Sequence, residues 1–418
     1  MTAAVTADPA PTWVSRWLGG VAIFLVVMTP LLAYLAPLGF APLMALTGLL
    51  ALPGLRRTRA AAPPLLVLVA LALWAMVSMT WSPAAIDPTT IKDYGDVESL
   101  TAMKLVLQLA TYGAAVVVLR GLSEATSLRS GTILAYGMTA LAVVAAVDAL
   151  MGARIYQALH LATGEPIRPD LAMVKVSMAT YALALLLWPV SLILSRRRAS
   201  RAILLLVVGM VTTSLIVSSD ACLAALVLGA GAWLLVRYAG RNGAKILVGL
   251  VAAPFVLAPL AVLLGVQTGV VAWLHEVTPA SWDARLNIWT FAADHIQTHP
   301  FRGWGLDASR TFGTAIPLHT HNAQLQLWLE LGAIGAALAG VFFCWLAYGV
   351  VRLCERSRGE AAMAAGALVS YLVIGGLSFG VWQEWWLGLG AVTLIACGLA
   401  RFAAPSDRVD LVELTPLG

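Results

Sequence analysis

Residues 319–335, HTHNAQLQLWLELGAIG, concentrate the chain's candidate chemistry: His321 and Asn322 are followed by nine residues and then by Gly332 and Gly335. The motif sits where a long polar connection gives way to an apolar run, so its histidine meets both water and lipid-borne substrates at a membrane surface. An imidazole with an ordinary pKa near 6.5 is neutral yet basic at external pH and can take a proton there. Five of the six histidines, His275, His295, His299, His319 and His321, fall in the same connection. His295 and His299 share a helical spacing that could join His319 and His321 around zinc. No carboxylate-containing zinc motif accompanies them, and the expectation is no metal site.

The elements that hold this motif are set by composition. Of 418 residues, 60% are hydrophobic and 11% charged, and the mean hydropathy is +0.87. So few charges cannot cover a soluble surface, which makes the bilayer the main solvent and the fold class all-α, a polytopic integral membrane protein. Hydropathy places about 12 transmembrane helices, centred near 27, 46, 71, 110, 140, 184, 210, 230, 257, 340, 369 and 394. Alternate connections differ in basic content. One set holds 15 cations, at Arg56, Arg57, Arg59, Arg120, Arg129, Arg196, Arg197, Arg198, Arg201, Arg237, Arg241, Lys245, Arg352, Arg356 and Arg358. The other holds 8, at Lys92, Lys104, Arg154, Arg168, Lys175, Arg285, Arg302 and Arg310. The positive-inside rule makes the first set cytoplasmic, with both termini inside and the His321 connection outside. The net charge of +5 is thus a topology signal, and a nucleic-acid partner is not expected. The N-terminus lacks the basic start, short apolar region and small-residue site of a cleaved signal. Cys222, Cys344, Cys354 and Cys397 fall in or beside apolar segments, where packing is their expected role.

The chain is expected to divide into helices 1–9 over 1–268, a large outer connection over 269–322, helices 10–12 over 323–403, and a cytoplasmic tail over 404–418. Two other outer connections, about 82–100 and about 152–171, are shorter, and the first is acidic, turn-rich and expected to cover the surface. Within 269–322, Trp282, Leu286, Trp289, Ala293 and Ile296 recur at helical spacing. The pattern predicts a helix beginning near Ser281 as N-cap and stopped by Pro300, lying in the outer interface with its tryptophans toward lipid. Gly303, Gly305 and Gly313 then permit tight turns. Glu330 and Glu384, near outer ends of spans, are expected to be hydrated, and Trp382, Trp385 and Trp386 to form an interfacial belt.

The spacing of His321, Asn322, Gly332 and Gly335 resembles the O-antigen ligase and polymerase family of bacterial envelope glycosyltransferases. Upstream, Arg285, Trp289, Pro300, Gly303 and Gly305 resemble the family stretch in which an arginine opens a Trp-containing helix that ends before a Gly-x-Gly turn. The resemblance implies an undecaprenyl-diphosphate-linked glycan as donor and, for a ligase, a sugar hydroxyl of lipid A core as acceptor, at the periplasmic face of the inner membrane. It implies an inverting transfer that needs no metal, nucleotide or other cofactor, because the diphosphate linkage is already activated. His321 then suits the general base, and guanidinium groups suit the diphosphate. Arg285 is the first choice, followed by Arg302, Arg310 and Arg168. Asn322 and His319 are candidate substrate contacts, and Gly332 and Gly335 would allow close helix packing. One position departs from the family: Ser218, Ser219, Asp220 and Ala221 stand where members often carry an Arg-containing turn, making Arg168 and Lys175 candidate replacements. The alternatives are a polymerase joining two lipid-linked repeats, a glycosyltransferase with a protein acceptor and, in another class, a lipid-linked oligosaccharide flippase. The absence of a two-half repeat and the one-sided polar chemistry disfavour the flippase.

The topology has a direct check. A single cysteine engineered into residues 269–322 of a cysteine-free variant is expected to react with an impermeant thiol reagent added from outside; labelling only from the cytoplasmic side would overturn the assignment.

Overall fold

The computed structural model describes residues 12–55, 62–85 and 101–402. Residues 404–418, Lys92, Arg56, Arg57 and Arg59 lie outside the described residues, as does most of the 82–100 connection. Among the described residues the regular elements are helices and there is no strand. A helix satisfies its own backbone without water, which long apolar runs require in hydrocarbon. In chain order the helices are α1 (Thr12–Leu35), α2 (Phe40–Ala51), α3 (Ala62–Ser78), α4 (Thr101–Leu119), α5 (Glu124–Leu150), α6 (Arg154–Ala162) and α7 (Pro169–Arg196). They continue as α8 (Ser200–Ile216), α9 (Asp220–Gln267), α10 (Val270–Val277), α11 (Ala280–Ile296), α12 (Ala323–Leu353), α13 (Arg358–Leu377) and α14 (Glu384–Ala400).

All twelve hydropathy centres fall in helices, but length and composition qualify eight segments as candidate membrane spans. Helices α3, α8 and α14 are apolar yet shorter, and α9 counts once although it carries two centres. Helix α9 is interrupted at Gly240, where φ is 55° and ψ −131°. The chain turns back there so tightly that a Cβ on Gly243 would lie 2.4 Å from the Leu235 carbonyl oxygen. Leu228, Leu250 and Val256 on α9 are each more than half exposed, the pattern of a lipid-facing surface. By contrast, Ala182 through Val190 of α7 are all buried, making α7 the centre of the bundle.

Contacts between basic connections define one end of the bundle. Arg196 pairs with Glu360 at 3.2 Å, Arg401 approaches the same carboxylate at 3.9 Å, and Arg241 lies 3.5 Å from Glu355. The Arg358 guanidinium stands against Gly240. Helices α3 and α13 run from that end to the opposite one, where His321 lies.

The opposite end is organised by a break in α12. Gly332 has φ 64° and ψ −165°, a region open essentially only to glycine. The preceding segment, 323–331, therefore leaves the axis of 333–353. It begins beside the end of α13, where a Cβ on Gly376 would lie 3.0 Å from Gln324 Oε1. It ends beside α3, whose Trp74 Nε1 donates to the Leu331 carbonyl at 2.9 Å. The segment thus lies across the end of the bundle. The break frees carbonyls that the loop after α11 satisfies: Trp304 N donates to Leu329 O at 2.9 Å, and Gly305 N to Glu330 O at 2.7 Å. In return, Ala333 N donates to Pro300 O at 2.8 Å. The loop is also tied to α3, since Leu306 N donates to Ser78 Oγ at 2.9 Å and Ser82 Oγ to Leu306 O at 2.7 Å.

Several expectations need correction. Helix α11 begins at Ala280 with Pro279 as its N-cap residue rather than at Ser281. Its stripe does not face lipid: Leu286, Ala293 and Ile296 are buried in the protein. On the same helix, Ile288, Ala292 and Ile296 pack with Ile316 and with Leu325 and Leu329 of the transverse segment. The amphipathic surface helix is instead α10, which exposes Val270, Trp273 and Val277. Trp385 and Trp386 are also buried, against Tyr181 and Phe379, and form no belt.

Backbone lies against backbone at the break: a Cβ on Gly332 would come 2.2 Å from Phe301 O, and one on Gly303 2.4 Å from Glu330 O. Gly332→Ala is therefore expected to abolish the folded protein in detergent extracts. Gly313→Ala, at φ 55° with nothing within 4 Å, should cost only the left-handed conformation, about 1–2 kcal/mol. Equal melting temperatures and yields for the two variants would contradict this account of the break.

Candidate functional site

His321 is held at three points. Its backbone is left-handed, with φ 52°. Its N–H donates to His319 Nδ1 at 3.0 Å. Its own Nδ1 lies 3.0 Å from the Ser378 carbonyl oxygen. A carbonyl only accepts, so Nδ1 carries the proton and, in the neutral ring, Nε2 keeps its lone pair. The tautomer is thereby the one that can take a proton at Nε2. The ring is half-buried. Burial pushes its pKa down, and the Arg285 charge pushes the same way, outweighing the Ser378 hydrogen bond that favours the charged form.

His319 is the complementary case. Its Nδ1 accepts from His321, so its proton sits on Nε2, 2.9 Å from the Gln383 carboxamide, which must present its oxygen there. His319 is buried, and burial, His321, Arg310 and Arg285 together push its pKa down to about 3. It remains neutral and acts as a fixed acceptor for the His321 backbone. The turn is locked from outside as well: Trp289 Nε1 donates to Thr320 O at 2.9 Å. The two imidazole centroids are 4.1 Å apart.

The other expected residues separate into groups. Arg285 joins the histidines: it is half-buried, its charge acts on both rings, and no described carboxylate lies within ion-pair distance. Its guanidinium stands 5.1 Å from the Trp282 ring centre, while Trp282 Nε1 donates to Asp220 Oδ2 at 3.2 Å. Arg285 therefore lies next to the Ser218–Ala221 turn, where the family resemblance lacked a cation. Arg310 acts on His319 but is exposed and 3.5 Å from Asp307. Asn322 spends its side-chain oxygen on capping α12, accepting from Leu325 N at 2.9 Å. Arg168 is exposed and paired with Asp170 through two contacts, 3.0 and 2.6 Å. Lys175 is exposed on α7. Arg302 lies elsewhere, over Trp81. His295 stacks on Phe291 and His299 meets Trp304, apart from the His319 and His321 pair.

Sequence reasoning missed four groups. Ser378, Gln383 and the Tyr181 hydroxyl, which faces Ser378 and Ser219, reach the site from α7 and the turn between α13 and α14. No local motif marks them. The fourth is Glu330, expected to be hydrated but fully buried. Its oxygens accept from Gln326 Nε2 at 2.9 Å, Trp382 Nε1 at 2.6 Å and Asp307 N at 3.1 Å. It ties the transverse segment to the loop and to the turn before α14. Glu384 is different, half-exposed and paired with Lys104 at 2.6 Å.

Among the described residues the arrangement offers a free imidazole nitrogen beside a guanidinium with no carboxylate partner, at the end of a bundle with candidate membrane spans. Residues 205–340, which include both groups, match the family model described as O-antigen ligase. A protein of Rickettsia prowazekii (strain Madrid E) named "Putative polysaccharide ligase" is 33% identical over 127 residues, covering 27% of this chain and 30% of that protein. Proteins of the same description in Rickettsia typhi (strain ATCC VR-144 / Wilmington), 33% identical, and Rickettsia felis (strain ATCC VR-1525 / URRWXCal2), 32% identical, match over the same shares. The match thus spans about a third of the length of these relatives. The resemblance read from the motif is borne out over residues 205–340, the part of the chain that matches the O-antigen ligase family model.

Glu330→Ala would leave Trp382 Nε1 and Asp307 N without their acceptor, each costing roughly 1–3 kcal/mol when left without a partner. The purified variant is expected to melt several degrees below wild type, and an unchanged melting temperature would contradict the tying role.

Proposed function

We propose that the protein is an O-antigen ligase, which transfers a glycan from undecaprenyl diphosphate to a sugar hydroxyl of lipid A core at the periplasmic face of the bacterial inner membrane. In this reading the chain crosses twelve times, both termini are cytoplasmic and residues 269–322 are periplasmic. The observation that carries it is the His321 tautomer: Nδ1 donates to Ser378 O, which leaves Nε2 as a base next to Arg285 within the family-matched segment.

The acceptor hydroxyl oxygen attacks the anomeric carbon from the side opposite the diphosphate, and its proton passes to His321 Nε2. The anomeric C–O bond breaks, the diphosphate leaves with the electron pair, and configuration inverts. Arg285 binds the diphosphate and meets the charge that grows on it, a role suited to a preorganised planar cation. Arg310 adds positive potential after exchanging Asp307 for phosphate. The donor brings its own driving force, so the step uses no metal, nucleotide or cofactor, and chelation should leave the rate unchanged.

Reconstitution with purified lipid-linked glycan and two acceptors, lipid A core and a second lipid-linked repeat, tests the assignment. A product on lipid A core supports ligation, whereas a lengthened lipid-linked chain alone would make the protein a polymerase. His321→Ala is expected to lose about a hundred- to ten-thousand-fold in transfer while still binding donor. Arg285→Ala should weaken donor binding and turnover together, with Arg285→Lys recovering part. Near-normal transfer by folded His321→Ala would eliminate the base assignment.

A further inference from the structure

Arg302 has no place around His321, and its surroundings are those of a second binding site. It lines a cavity of about 180 Å³ with Trp81, Pro83, His299, Gly303 and Trp304. Its guanidinium is 5.6 Å from the Trp81 ring centre. Among the described residues no carboxylate lies within ion-pair distance of it. His299 meets the Trp304 ring at 4.8 Å between centroids. The Trp81 ring is fixed from the protein side by Trp74, 5.5 Å away between centroids. The floor is rigid, because Gly303 and Trp304 belong to the loop bonded to the α12 break and Trp81 follows directly from α3.

We infer that this cavity binds one acidic pyranoside ring of a glycan, on a subsite separate from the diphosphate. The volume lies below the roughly 300–1,000 Å³ of a site for a drug-sized ligand and suits a single ring. The Trp81 and Trp304 indoles in the lining offer apolar surface to the C–H face of a sugar. Arg302, which has no carboxylate within ion-pair distance among the described residues, pairs with a uronate or phosphate substituent, where its planar fork makes two hydrogen bonds. The position also fits: the transverse segment 323–331 links His321 at its start to the Arg302 loop at its end, about 13 Å along a helix. A glycan whose reacting sugar lies at His321 can therefore extend along the same face to reach the cavity. This extension rests on the ligase reading; occupancy of the cavity by a sugar does not.

The test separates the two. Saturation-transfer NMR with the methyl glycoside of glucuronic acid, on the purified full chain in detergent, reads binding without any transfer. Wild type and His321→Ala are expected to give equal signals, a neutral methyl glucoside a weaker one. Arg302→Gln, at an exposed position that leaves packing intact, and Trp81→Ala should each lower the glucuronoside signal at least fivefold. No signal with wild type, or signals unchanged in both variants, would overturn the site even where transfer is normal. In transfer assays Arg302→Gln is expected to raise the KM of one glycan substrate severalfold while kcat holds. A rise for the acceptor assigns the subsite to the acceptor glycan, and a rise for the lipid-linked substrate assigns it to the donor.

Discussion

Three consecutive carbonyls, those of Leu329, Glu330 and Leu331, fix the shape of the working face. The break at Gly332 takes them out of the helical ladder, and buried carbonyls without donors cost too much to persist. Trp304 N, Gly305 N and Trp74 Nε1 supply the donors. That exchange binds the loop after α11 and the end of α3 to the transverse segment 323–331. Glu330 adds a second layer, drawing Asp307 N and Trp382 Nε1 onto the same segment. A histidine at the start of this segment is thereby referenced to most of the bundle's upper end.

The same construction determines what His321 can do. Ser378 O selects the tautomer, His319 pins the backbone in a left-handed conformation, and partial burial keeps the ring neutral. Three neighbouring influences act on its proton, and the two that disfavour the charged form prevail. Arg285 therefore has two consequences in the proposed reaction: it binds the leaving diphosphate, and it keeps the base unprotonated at lower pH. Because Arg285 is held against Trp282, which in turn holds Asp220, the turn that departs from the family pattern still has a cation beside it.

Much of this was legible one dimension at a time. Apolar runs located helices at every hydropathy centre, since hydrophobicity along a chain needs no partner to be read. The pair Gly332 and Gly335 was visible, but not its meaning: Gly332 meets the Phe301 and Gly303 backbone rather than a neighbouring helix. The stripe on α11 gave the helix and the wrong neighbour, because amphipathic period records burial without saying whether protein or lipid supplies it. Glu330 and the tryptophans at 385 and 386 were misjudged for a related reason. Distance from the centre of a span suggests water, whereas the loop folded over Glu330, and Tyr181 and Phe379 packed on the two tryptophans, remove it. Ser378, Gln383 and Tyr181 come together from remote segments, so no spacing could have grouped them. The candidate cations were similarly indistinguishable until Asp170 was seen to occupy Arg168 and the Trp81 cavity to hold Arg302.

The pH dependence of glycan transfer tests the central claim most directly, because it reads the proton on His321 in the working protein. As the base, His321 must be neutral, so the rate falls as pH drops through its pKa; with that pKa lowered, activity persists below pH 6.5, the ordinary imidazole value. Replacing Arg285 by glutamine removes one of the charges that lowers it, so the acid limb should move to higher pH in that variant. An acid limb at or above pH 6.5 in the wild type, unmoved by Arg285→Gln, would contradict His321 as the base beside Arg285.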